Sequence, residues 1–209
     1  MGLPQNHVML YTDATLGNML GAVNRMKEIG EAYSGKANII FYYAGHGIPD
    51  ESSRSALLLP VDGNGRDSST GYSLSSLYKS LGSMPTQSVL VLLDACFSGT
   101  QRDGTMMKAA RGIAIKAKAT SPSNNMIVLS ASQGDETAGA YNDKHHGLFT
   151  YFLLKKLQET SGEATLSEIG NYISEQVSQQ VAIQKGRKQT PLTIPSATYS
   201  GNWKETKLK

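Results

Sequence analysis

Three short stretches, ANIIFYY (37–43), SVLVLLD (88–94) and MIVLS (126–130), are almost continuously apolar. A strand with one wet face alternates apolar and polar residues, so a run without alternation reads as a strand buried on both faces. These runs are too short for helices, and the first is bounded by Gly35 and Gly45. Strands of this kind occur in mostly parallel sheets whose two faces are covered by helices. The segments between them supply the helices. Leu16, Met19, Leu20, Val23, Met26 and Ile29 share one face of a helix expected from about Thr15 to Tyr33. Ser73 is placed to cap a helix to about Leu81, and GLFTYFLLKKLQE (147–159) reads as another. TLSEIGNYISEQVSQQV opens with Thr165 and Glu168 at capping-box spacing. HVMLY (7–11) and SALLLPVD (55–62) read as further short strands, the second stopped by Pro60.

A chain of 209 residues suits one domain with a sizeable core. A hydrophobic content of 39%, a charged content of 18% and 21 glycines describe a loop-rich globular chain and neither a disordered nor a membrane composition. No apolar run approaches the roughly 18 residues of a membrane span, and the first residues lack a signal-peptide pattern. Membrane and nucleic-acid partners are not expected: the net charge is only +3, and Lys and Arg gather in 102–118 and 185–209 without interleaved aromatics. From Phe97 to Asn125 periodicity vanishes, so a mobile linker of about 101–125 is expected between a larger segment of about 1–100 and a smaller one of about 126–209.

Two of the apolar runs end alike. FYYAGHG (41–47) brings His46 between two glycines, and VLVLLDACFSG (89–99) brings the chain's single cysteine, Cys96. In an open parallel sheet, ligands collect beyond the carboxyl ends of the strands. Neighbouring strands would therefore bring both side chains to one rim, where an imidazole can take the thiol proton and later protonate a leaving amine. Gly45 and Gly47 leave room for a substrate backbone, and free N–H groups near the nucleophile can stabilise an oxyanion. Either residue alone is better explained as a loop histidine or a buried small hydrophobe; the pair, each just past an apolar strand with glycine nearby, is not.

The segments YYAGHG and LLDACFSG resemble the two active-site motifs of the caspase-like cysteine peptidases, a group containing caspases, metacaspases and paracaspases. The resemblance extends through LYTDATLGNML, ALLLPVD, LSASQGDETA and GRKQTPLT. It implies an α/β, caspase-like three-layer sandwich with a mostly parallel sheet and helices on both faces. It also implies a catalytic dyad of His46 and Cys96, and an oxyanion hole from the N–H groups of Gly47 and Cys96.

Asp94 lies two residues before Cys96, so along an extended strand both side chains point the same way. A carboxylate there disfavours a thiolate, and binding a substrate cation is the more plausible task. In metacaspases and paracaspases similar acids select Arg or Lys before the scissile bond. Here they would be Asp94 with Asp135 or Glu136 of SQGDETA (132–138), two residues left unseparated. Ala44, shared with paracaspases where metacaspases commonly carry serine, joins the substrate site. Arg102, Lys108, Arg111, Lys116 and Lys118 make the linker a candidate for self-cleavage. No cofactor and no metal are expected, and His145–His146 read as surface positions. Caspase-like domains usually begin with a strand and helix upstream of HVMLY, which are expected to be missing here.

The leading expectation is thus a cysteine endopeptidase acting after Arg or Lys on peptides or proteins through a thioester acyl-enzyme. The alternatives are an inactive caspase-like interaction module and a cysteine hydrolase of small amides or esters.

Overall fold

The structure, a computed structural model, describes residues 3–98, 117–134, 136–183 and 188–208. Helix α1 (Leu16–Ala32) begins where expected, because Thr15 and Asn18 form a reciprocal capping box. The Leu16 N–H, also without an intrahelical partner at this end, donates to Asp62 Oδ1 at 2.9 Å. The chain then forms β1 (Asn38–Ala44), β2 (Gly47–Pro49), β3 (Ala56–Leu58), β4 (Tyr72–Ser73) and α2 (Leu74–Gly82). It continues through β5 (Ser88–Asp94), β6 (Met126–Ser130), β7 (Ala140–Tyr141), β8 (His146–Gly147), α3 (Leu148–Glu159), α4 (Leu166–Ile183) and β9 (Leu192–Pro195).

The main sheet has the order β1-β5-β6-β9. Strands β1, β5 and β6 are parallel, and β9 closes the far side antiparallel to β6. The three near-continuous apolar runs are these parallel strands, and their alternate residues build two separate cores. On one face Ile39, Phe41, Val89, Val91, Leu93 and Val128 pack with Met19 and Val23 of α1 and with Leu74, Leu77, Tyr78 and Leu81 of α2. On the other, Leu90, Leu92, Cys96, Ile127 and Leu129 pack with Phe149 and Phe152 of α3 and with Ile169, Ile173 and Val177 of α4. The result is the expected three-layer α/β sandwich, with α1 and α2 on one side and α3 and α4 on the other.

Several local expectations hold in detail. Thr165 and Glu168 cap α4 reciprocally, the Thr165 N–H donating to Glu168 Oε2 at 2.8 Å and the Glu168 N–H to Thr165 Oγ1 at 3.2 Å. Ser73 does precede α2, but its hydroxyl meets the Ser75 hydroxyl at 2.8 Å and does not cap a backbone amide.

Other expectations need correction. Residues 7–11 are not a strand: Gln5–His7 form a 3-10 turn, and Val8 to Tyr11 are exposed and belong to no strand among the described residues. The strand in SALLLPVD is only Ala56–Leu58, and it belongs to a small antiparallel sheet, β2-β3-β4, that periodicity did not indicate. Strand β9 was also not foreseen. Of the expected linker, residues 117–125 are described and contain neither helix nor strand.

Candidate active site

The register of the central strands decides where the site forms. Strand β1 pairs with β5 from Asn38 opposite Ser88 to Ala44 opposite Asp94. The pairing continues one step beyond, where the Gly45 N–H donates to the Asp94 carbonyl at 3.2 Å. His46 and Cys96 each lie two residues past the last matched pair, so the two strand ends bring them to the same rim of the sheet.

Close contact behind them confirms this neighbourhood. A Cβ added to Gly47 would stand 2.5 Å from the Cys96 carbonyl oxygen and 2.5 Å from the Phe97 ring. The glycine is therefore needed for the two strand ends to approach. Gly47 sits opposite Leu58 in β2–β3, and the flanking Leu59 N–H donates to the His46 carbonyl at 2.9 Å. That bond makes Gly47–Leu58 a pair without mutual hydrogen bonds, so the Gly47 N–H points away from β3.

The main chain at His46 is fixed twice. Besides Leu59, the Tyr43 hydroxyl donates to the His46 carbonyl at 2.7 Å, with the Leu59 carbonyl 3.0 Å from the same hydroxyl. The His46 side chain itself is exposed. Cys96, by contrast, is 3% exposed. Its Sγ accepts the Ala138 N–H at 2.9 Å and lies 3.7 Å from the Ala138 carbonyl, so the loop after β6 lies over the sulfur.

Asp94 shares the Cys96 face of β5, as alternation requires, and is fully buried. The Thr150 N–H and hydroxyl both donate to its Oδ2, at 3.3 and 2.5 Å. Thr150 is the third residue of α3, so Asp94 meets the positive end of the helix that packs on its own face of the sheet. Glu136 is also buried, and it too is held by its own chain. It accepts from the Thr190 N–H at 2.7 Å, the Thr190 hydroxyl at 3.0 Å and the Gln133 N–H at 3.2 Å, and the exposed Lys188 ammonium lies 3.5 Å away.

A family model of the caspase domain, from peptidase group C14, matches residues 5–198. The chain belongs to the caspase-domain family. Solved structures agree at the level of fold. A protein from Geobacter sulfurreducens is 19% identical, with a TM-score of 0.58, over 94% of this chain and 80% of that one. Caspase-1 from Spodoptera frugiperda is 15% identical, with a TM-score of 0.59, over 90% and 70%. The proform, pro-sf-caspase-1, is 14% identical, with a TM-score of 0.57, over 89% and 71%. No curated protein sequence matches the chain.

Within this caspase-family frame, Ala44 is exposed and pairs with Asp94 in the sheet. Lys118 is exposed too, its N–H bonded to the Arg54 carbonyl at 2.8 Å. Arg102, Lys108, Arg111, Lys116 and Asp135 lie outside the described residues. His145 closes a 3-10 turn in the left-handed conformation, and no cluster of three or more metal-binding side chains occurs among the described residues. Sequence reasoning gave no role to Tyr43, Thr150, Gln189 or Thr190, nor to the Ala138 N–H. Of these, all but Thr150 lay in stretches that the family resemblance had marked: Tyr43 in YYAGHG, Ala138 in LSASQGDETA, and Gln189 and Thr190 in GRKQTPLT.

Proposed function

We propose that this caspase-family chain is a cysteine endopeptidase that hydrolyses peptide bonds after Arg or Lys, with Cys96 as nucleophile and His46 as acid and base. The observation that carries the reading is the β1–β5 register, which sets both residues two positions beyond one matched pair. His46 takes the Cys96 proton and the thiolate attacks the substrate carbonyl carbon. The carbonyl oxygen becomes an oxyanion, received by the N–H groups of Gly47 and Cys96. His46 then gives its proton to the leaving amine as the C–N bond breaks, and a thioester remains. Water, deprotonated by His46, attacks that thioester and returns the thiol.

Asp94, with Asp135 or Glu136, supplies the negative charge that selects a basic side chain. Glu136 is engaged by Thr190 and Gln133, so it would meet a substrate cation only with residues 188–190 displaced. Self-cleavage after a basic residue of the linker, Lys118 being its exposed described member, follows from the same specificity.

A second reading, an inactive interaction module of the same fold, is favoured by the coverage of Cys96. Fluorogenic peptides ending in Arg, Lys or Asp, offered to wild type, Cys96→Ala and His46→Ala, decide between them. Turnover of the basic peptides that either substitution abolishes supports the peptidase. Silence from folded wild type supports the module.

A further inference from the structure

Gln189 is 3% exposed, which is unusual for a glutamine, and both ends of its amide are engaged. Its Nε2 donates to the Ala131 carbonyl at 2.9 Å, and its Oε1 accepts the Gly139 N–H at 2.8 Å. A carbonyl can only accept and an N–H can only donate, so the amide orientation is determined. Ala131 directly follows β6, and Gly139 directly precedes β7. One side chain therefore ties the two ends of the loop that covers Cys96. The next residue, Thr190, grips the middle of that loop through Glu136.

We infer that Gln189 is a positioning residue for the nucleophile: it closes the neck of the 131–139 loop and so holds the Ala138 N–H on Cys96 Sγ. The inference rests on Cys96 being the nucleophile of the proposed function. An N–H aimed at the sulfur stabilises the thiolate more than the thiol, because a hydrogen bond to an ionised acceptor is the stronger one. Ala138 can act this way only while the adjoining Gly139 peptide is fixed, and Gln189 fixes it. Glutamate at 189 would accept from Gly139 but turn a second acceptor toward the Ala131 carbonyl. Asparagine would be one methylene short of spanning the neck.

The test uses alkylation of the full chain by iodoacetamide, read by intact mass across a pH series. Cys96 is the sole cysteine, so the signal belongs to it. The other titratable groups around it, Asp94 on its own strand face, His46 at the end of β1 and Glu136 in the loop, are unchanged in every variant. Gln189→Met keeps the length and removes both hydrogen bonds. It should move the alkylation midpoint upward by roughly one pH unit; Gln189→Glu, which loses the Ala131 bond and adds a negative charge beside the loop, should also move it upward. The plateau rate reports access to the sulfur, and the midpoint reports thiolate stabilisation, which a merely structural role would not shift.

Should Gln189→Met fail to fold, Gly139→Ala serves instead. Its new Cβ would stand 3.2 Å from Gln189 Oε1 and 3.1 Å from Leu148 Cδ1, both far ends of side chains. It should shift the midpoint in the same direction. An unchanged midpoint in folded variants overturns the inference. Peptide turnover by wild type separates the two ideas: a shifted midpoint without turnover leaves Gln189 tuning the Cys96 thiol but removes the peptidase and with it the positioning role, and turnover with an invariant midpoint keeps the peptidase and overturns the inference alone.

Discussion

Thr150 donates both its backbone N–H and its hydroxyl to one oxygen of Asp94, at 3.3 and 2.5 Å, from the first turn of the helix that packs on the same face of the sheet. The single hydroxyl proton is thereby committed. The Tyr42 hydroxyl, 2.7 Å from Thr150 Oγ1, must then be the donor in that contact. A directional chain runs from half-exposed Tyr42 through Thr150 to the buried carboxylate.

Thr150→Val keeps the shape and the N–H but deletes the donor to a buried acid. It should lower unfolding stability by about 1–3 kcal/mol. On the proposed specificity it should also raise KM for arginyl peptides more than it lowers kcat. Thr150→Ser should restore both. Denaturant melts and steady-state kinetics of the three proteins check this; equal KM values in all of them would remove the link between Thr150 and the substrate pocket.

Gly47→Ala forces a methyl group to within 2.5 Å of the Cys96 carbonyl and the Phe97 ring. The neighbours are backbone and a buried ring, so relief requires the two strand ends to separate. A destabilisation of about 1–3 kcal/mol is expected, with peptide turnover reduced far beyond what the unfolded fraction explains. Thermal melts beside activity at a temperature where the variant is folded test it.

Tyr43→Phe removes the hydroxyl that holds the His46 carbonyl, while the Leu59 N–H stays. The stability cost should be only about 0.5–1.5 kcal/mol. Because the loss falls on the main chain of the proposed acid and base, kcat should fall several-fold with KM near wild type. An unchanged kcat would show that Leu59 alone suffices.

Acid should weaken the fold. Asp50 is held far below the ordinary aspartate value of 3.8 by hydrogen bonds from Ser68, Ser52 and Ser53. Asp67 is lowered by the Ser69 hydroxyl and N–H, and Glu168 lies below its ordinary 4.5 through the Thr165 N–H and hydroxyl. Near and below those ordinary values the unfolded chain binds more protons than the native one, so stability present above them is lost as pH falls further. Urea midpoints measured from neutrality down to about pH 3 should decline at the acid end. Glu168→Gln should flatten that decline.

Much of the sandwich was legible because β1, β5 and β6 are dry on both faces and announce it at every position. Strand β9 was not: PLTIP has prolines at both ends, reads as a loop, and pairs as an antiparallel edge. Residues 7–11 misled in the opposite sense. Their apolar character suits a strand, yet among the described residues β1 pairs only with β5, and a segment without a neighbour is no strand. In the candidate site, His46, Cys96 and Asp94 could be singled out because residue type, strand end and parity are local signals. Gln189 and Thr150 could not, since each acts on a residue 50 or more positions away. The Ala138 N–H has no side-chain signature.

The constant offset between β1 and β5 also governs how this site can fail. Sliding one strand by a single residue would turn Leu90 and Leu92 out of one hydrophobic layer and Val89 and Val91 out of the other. The main chain that leads to His46 and to Cys96 consequently cannot lose its register by small steps. That register is as durable as the sandwich itself, and errors in it should arise during folding of the sheet and not by gradual loosening of the finished molecule.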